Sequence, residues 1–153
     1  MSRRDQITMT AEEIAAFLAQ ERTVICATTG VNGWPHLMPL WYVVRDGEVW
    51  AWTYGRSQKV RNLERDPRAT LQIEAGETYD QLRGVMIEAE TELHTDIDVV
   101  TQLGADLAER YGGGSLPEEA LTAIRAQAAK RVALRFVSRR TASWDHRKLG
   151  GGY

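Results

Sequence analysis

Cysteine occurs once in this chain of 153 residues, at Cys26, so no internal disulfide can form and a reducing, cytoplasmic setting is expected. Histidine is almost as scarce. His36, His94 and His146 form no His, Cys and Asp cluster at metal-ligand spacing. No apolar run approaches the roughly 20 residues of a membrane span. Arg3 and Arg4 are followed by no apolar stretch, so a secretory signal is not expected. Neither sign of charge is in excess: the formal net charge is -2, which argues against general nucleic-acid binding. No nucleophile–base–acid triad and no carboxylate pair at catalytic spacing can be read. Phenylalanine occurs twice, yet there are five tryptophans, four of them between Trp34 and Trp52. That clustering suits core packing or a pocket for a conjugated ring.

At 43% apolar and 26% charged, residues 1–153 are expected to form one domain with a substantial core. Thr10 and Glu13 read as a capped helix start within an N-terminal helical segment over 1–22, with Ile14, Phe17 and Leu18 on its buried stripe. Thr23 to Thr29 is β-branched and strand-like, and Asn32-Gly33 supplies a hairpin turn into a second strand, Trp34 to Val44. Pro35 and Pro39 imply that this strand is an edge, carries a bulge or leaves its backbone free to face a ligand. Asp46-Gly47 turns into a third strand, Glu48 to Thr53. A helix follows from Ser57 to about Arg65, ending before Pro67. Arg68 to Glu74 and Gly84 to Thr95 read as strands. Asp96 to about Tyr111 and Pro117 to about Ala129 read as helices, and Lys130 to Ser143 as a final strand before a tail, 144–153. Six or so mostly antiparallel strands with helices give an α+β class and favour a barrel over a doubly wound sheet.

The densest chemistry lies in Trp50 to Pro67, WAWTYGRSQKVRNLERDP. Alternating Trp50, Trp52 and Tyr54 run into Gly55, and a helix opens with Arg56, Ser57, Gln58 and Lys59. Free amides of a first helical turn, a hydroxyl and two cations can converge there on one phosphate. The plainer readings are an N-cap for Ser57 and a solvated cation for Lys59, although a cation at the positive end of a helix is mildly unfavourable. Arg61, Arg65 and Arg68 form a basic rim or a solvated face partnered by Glu64 and Asp66. Pro39 has no N–H, so backbone groups beside it in the run Met38, Pro39, Leu40 and Trp41 can address ring heteroatoms; otherwise Trp41 and Met38 are core. Cys26 sits in an apolar strand and reads as inert.

Three patterns together resemble the pyridoxamine-phosphate-oxidase-like, or FMN-binding, split barrels. They are Asn32-Gly33-x-Pro35-His36-x-x-Pro39-x-Trp41 followed by Asp46-Gly47, then Arg56-Ser57-x-Lys59-x-x-Asn62-Leu63-x-x-Asp66-Pro67-Arg68, and Ser143-Trp144-Asp145. Within that superfamily the chain is most similar to the branch that uses the deazaflavin coenzyme F-420. The resemblance implies a homodimer with two cofactor sites at its interface. It also implies a phosphate held at Ser57 and Lys59, a ring along Met38 to Trp41, and a cofactor-binding set that extends to Tyr54, Arg56, Val60, Arg61 and Trp144, the last reaching across from the second subunit. The arginine-rich strand of true pyridoxamine phosphate oxidases has no counterpart in LMPLWYVV, which argues against vitamin B6 chemistry. The expected activity is hydride transfer from F-420 to a small-molecule acceptor of the quinone, tetrapyrrole or enone class. FMN as cofactor, or a non-catalytic flavin or haem carrier, are the alternatives.

Overall fold

The computed structural model describes residues 1–150. Seven strands form one antiparallel sheet: β1 (Val24–Thr29), β2 (Pro35–Leu40), β3 (Val43–Arg45), β4 (Glu48–Tyr54), β5 (Arg68–Ala75), β6 (Arg83–His94) and β7 (Arg131–Asp145). Their spatial order is β2-β1-β5-β6-β7-β4-β3. The two edge strands, β2 and β3, are consecutive in the chain and separated by Trp41 and Tyr42 alone. Two residues cannot span an open seven-stranded sheet, so the sheet must curl until its edges approach each other. The class is α+β, and the architecture is a barrel split at that seam.

Five helices accompany the sheet: α1 (Arg3–Ile7), α2 (Ala11–Gln20), α3 (Gln58–Arg65), α4 (Ile97–Gly112) and α5 (Glu118–Ala128). Thr10 and Glu13 exchange hydrogen bonds across the first turn of α2, with Thr10 N–H donating to Glu13 at 2.7 Å and Glu13 N–H to the Thr10 hydroxyl at 3.2 Å. Gly33 takes φ 84° in the β1–β2 turn, and Asp46 and Gly47 take φ 50° and 76° between β3 and β4. Those left-handed conformations account for the Asn-Gly and Asp-Gly pairs.

Strand alternation divides the side chains into two groups. Val24, Cys26, Val49, Ala51, Leu71, Ile73, Val85, Leu134 and Phe136 point into the barrel, where Phe17 and Leu18 of α2 and Val60 and Leu63 of α3 close the core. Trp50, Trp52 and Ala133 point outward and are covered by Val100, Leu103 and Leu107 of α4 and Ala128 of α5. The site is built between these outward aromatics and the two covering helices.

Three boundaries differ from the sequence reading. The strand expected over 34–44 breaks at Trp41-Tyr42. Tyr42 is fully buried there, and its hydroxyl donates to the Leu18 carbonyl at 2.6 Å and lies 3.1 Å from that of Glu21. Anchoring to the end of α2 takes that residue out of the ladder and gives a seventh strand. Strand β7 continues through Trp144, which pairs with Gly84, so the expected tail begins later, as a short 3-10 turn over His146–Leu149. A one-turn helix, α1, also precedes α2, capped by Ser2 and Asp5.

Candidate functional site: two clefts that meet at Arg131

Strand β4 ends where β7 begins, with Tyr54 directly opposite Arg131. The Gly55 N–H donates to the Lys130 carbonyl at 3.0 Å and ties the two chain reversals into one corner. Helix α3 starts from that corner. The Ser57 hydroxyl caps it by accepting from Val60 N–H at 3.4 Å, while the Gln58 and Lys59 amides have no backbone acceptor among the described residues.

A cleft of about 970 Å³ opens here, lined by Tyr54, Gly55, Arg56, Ser57, Lys130 and Arg131 together with Thr95, Ile97 and Val132. Its lining includes three cations and no carboxylate. Arg56, Lys130 and Arg131 form no ion pair among the described residues. Like charges gathered without a counter-ion repel one another, and an anion in the cleft relieves that repulsion.

A second cleft, about 540 Å³, lies on the other side of Arg131. It is lined by Pro39, Leu40, Trp41 and Trp52 together with Gly104, Leu107, Ala123 and Ile124 of α4 and α5. Trp41 is 61% exposed, yet its orientation is held by a face-to-face stack on Tyr111, 4.4 Å between centroids and 7° between planes. The Tyr111 hydroxyl in turn accepts from Tyr42 N–H at 2.9 Å and donates to the Arg22 carbonyl at 2.7 Å. The Arg131 guanidinium carbon lies 4.2 Å from the Tyr54 ring and 4.5 Å from the Trp52 ring, bridging the two clefts.

Lys59 departs from the rest of its expected group. It is 7% exposed, on the face of α3 that carries Val60, Asn62 and Leu63, and its ammonium donates to the Thr53 hydroxyl at 3.0 Å inside the barrel. Thr53 and Ser57 hydroxyls are 3.5 Å apart, so Lys59 stands one hydroxyl behind the cleft. Burial pushes its pKa down, partly offset by the nearby Cys26 sulfur; the same burial pushes the Cys26 thiol up to about 12. No carboxylate pairs with Lys59 among the described residues.

Of the other expected residues, Tyr54, Arg56 and Ser57 share the first cleft, and Pro39, Leu40 and Trp41 share the second. The Val60 side chain belongs to the barrel core, leaving only its backbone near the corner. Arg61 is exposed on α3 and Met38 is 43% exposed on β2; neither lines these two clefts. Trp144 lies at the opposite end of the 15-residue β7 and packs on Gly84, far from Arg131 of its own chain. Arg131, Lys130 and Thr53 were missed from the sequence. Only the β4–β7 register brings the first two to the corner, and nothing local signals it.

The family model for pyridoxamine 5'-phosphate oxidase matches residues 10–145. The chain belongs to that family. The conserved hypothetical protein Rv2991 from Mycobacterium tuberculosis is 43% identical over all of this chain and 95% of its own, with a TM-score of 0.92. An F-420 reductase is 19% identical, covering 83% of this chain and 94% of its own at a TM-score of 0.66. The haem storage protein HutZ from Vibrio cholerae is 18% identical over 88% and 92% at 0.67. At these identities the last two share the fold. Among curated proteins no sequence matches. No helix among the described residues is long and apolar enough to cross a membrane.

Proposed function

We propose that this chain is a cytoplasmic oxidoreductase that binds coenzyme F-420 and passes a hydride to an organic acceptor. The carboxylate-free cationic cleft, continuous through Arg131 with an aromatic one, carries this reading. F-420 joins a flat tricyclic ring to a phosphodiester and an oligoglutamate tail, so it presents several negative charges at one end and a conjugated surface at the other. Arg56, Ser57 and Lys130 face the phosphate, with Lys59 adding its charge from behind Ser57 and Thr53. Arg61 stands on the exposed side of α3, where the tail leaves. Pro39, Leu40 and Trp41 would hold the ring, with Pro39 leaving neighbouring backbone groups free to address it.

The reactive carbon and the hydride belong to the cofactor. The protein's own residues bind the anionic end, orient the ring and, through α4 and α5, exclude water from the cleft. Rate enhancement then comes mainly from proximity and orientation, with no protein nucleophile. A homodimer completes the site, because Trp144 can cover a ring only in a second copy.

Titration of cofactor-free protein with F-420 and with FMN, followed by quenching of tryptophan fluorescence, tests the assignment. F-420 is expected to bind at least tenfold more tightly. FMN binding tenfold more tightly transfers the same site to flavin chemistry. Reduced F-420 that binds yet is not consumed by any quinone, tetrapyrrole or enone makes the protein a carrier.

A further inference from the structure

Eight of the sixteen arginines of this chain pair with a carboxylate among the described residues. Arg45 pairs with Asp106, Arg125 with Asp98, Arg135 with Glu48 and Glu92, Arg139 with Glu90, and Arg140 with Glu88. Arg131 does not. It forms no ion pair and no hydrogen bond among the described residues, and its Nε is buried without an acceptor. Stacking on Trp52 and Tyr54 fixes the plane of the guanidinium but satisfies none of its N–H groups. The Nε is closed off from solvent, so an outside acceptor meets the guanidinium at its two terminal nitrogens, which are neither hydrogen-bonded nor closed off.

The smaller cleft shows what that acceptor is. Its lining is apolar, the rings of Trp41 and Trp52 with the aliphatic Leu107 and Ile124, and among its lining residues Gln127 is the one neutral polar side chain and Arg131 the one charge. The walls are set before any ligand arrives. Trp41 is held by Tyr111, and a Cβ on Gly104 would come within 2.5 Å of the Trp52 ring and 2.8 Å of Ile124. A volume of about 540 Å³ suits a small organic molecule. We infer that this cleft binds a flat, apolar molecule bearing a carboxylate, with the planar guanidinium of Arg131 as the carboxylate's partner. One planar cation in an apolar slot matches one planar anion by geometry as well as by charge. A phosphate is better served next door, where Arg56, Lys130 and the start of α3 cooperate. Pro39, Leu40 and Trp41 line this same cleft, so such a molecule takes the place that the proposed function gives the coenzyme's ring and competes with it; its binding does not rest on that reading.

Calorimetric titration of the cofactor-free protein with 2-naphthoate and with its neutral amide, 2-naphthamide, tests the inference. The acid is expected to bind at least tenfold more tightly than the amide. Arg131→Gln should erase that preference, and Arg131→Lys should keep part of it. Ile124→Trp, which fills the cleft away from Arg131, should weaken both ligands tenfold or more while sparing inorganic phosphate, and it serves as the test if Arg131→Gln does not fold. The inference is overturned if the amide binds as well as the acid, if the preference survives Arg131→Gln, if Ile124→Trp leaves naphthoate binding intact, or if Arg131→Gln weakens phosphate and not naphthoate. Failure of F-420 to bind, with the naphthoate preference intact, would sink the proposed function and leave this site standing.

Discussion

Replacing Lys59 by methionine separates a binding lysine from a structural one, because the two roles move stability in opposite directions. The ammonium is buried, has one partner, the Thr53 hydroxyl at 3.0 Å, and faces no carboxylate. Its other N–H donors have no protein partner among the described residues, and so poorly satisfied a buried cation costs about 1–3 kcal/mol. Methionine fills similar volume without charge, so Lys59→Met should stabilise the cofactor-free protein by about 1–3 kcal/mol, a gain of about 2–4 °C in Tm per kcal/mol for a chain of this size. The pH dependence has a definite sign. Burial holds the folded pKa below the ordinary 10.5, so between those values the unfolded chain binds the extra proton and stability rises with pH. Below the folded pKa the cost is present in full, and in Lys59→Met the alkaline rise disappears. Ligand linkage runs the other way. At one hundred times its Kd, F-420 should stabilise the wild type by about 2.7 kcal/mol. If removing a charge that acts from behind the Thr53 and Ser57 hydroxyls weakens binding about tenfold, the same concentration should stabilise the variant by only about 1.4 kcal/mol. Differential scanning fluorimetry with and without F-420, across pH, measures all three quantities. A variant that is less stable than wild type and retains full ligand-induced stabilisation would refute this reasoning and make Lys59 a structural residue.

Three further outcomes are expected. Cys26 is buried and its thiol is pushed up to about 12, so native protein at pH 8 should resist Ellman's reagent until it unfolds; rapid stoichiometric labelling would contradict the barrel core described here. Tyr42→Phe removes the hydroxyl held by the Leu18 and Glu21 carbonyls, and it should cost about 1–2 kcal/mol in urea unfolding while leaving naphthoate affinity within twofold. Hydrogen bonding to Arg147 holds Asp145 below its ordinary 3.8, so its contribution is complete above that value and is lost as the pH falls through the lower folded pKa; acid unfolding of Asp145→Asn should lack that component.

Much of the fold could be read from local chemistry. Asn32-Gly33 and Asp46-Gly47 demand positive φ and so placed two hairpins, and the Thr10–Glu13 pair placed the start of α2. Pro35 and Pro39 left the second strand an edge, a bulge or a backbone facing a ligand, and it lies at the edge of the sheet. Its interruption could not be read, because Trp41-Tyr42 continues the aromatic pattern of a strand and only the distant Leu18 and Glu21 carbonyls draw Tyr42 away. The two sides of the site differ in the same manner. Ser57 and Arg56 were legible as a helix start. The inward turn of Lys59 was legible as well, since Lys59, Asn62 and Leu63 fall at i, i+3 and i+4 on the buried face of α3, but the chemical pattern of Arg-Ser-x-Lys drew the reading toward a single outward cluster. Arg131 depends on pairing between strands far apart in sequence, and no periodicity reveals a register.

That register also explains why the corner is positive in a chain of nearly balanced charge. Along β7, Arg140 is opposite Glu88 and Arg135 opposite Glu92, so β6 neutralises β7 residue by residue. The ladder stops at His94, opposite Ala133, and Arg131 lies two residues beyond it. On its other side the partner strand is β4, whose outward residues there are Trp52 and Tyr54, which offer ring faces and no carboxylate. The charge at Arg131 is therefore left uncompensated by the length of one strand and the composition of another. The Gly55 reversal then brings Arg56 and the start of α3 to the same place. A cationic corner open to solvent on one side and roofed by apolar helices on the other follows from how these strands end. It is at such ends, where backbone pairing has run out, that a sheet can offer both unpaired charge and an aromatic surface to one ligand.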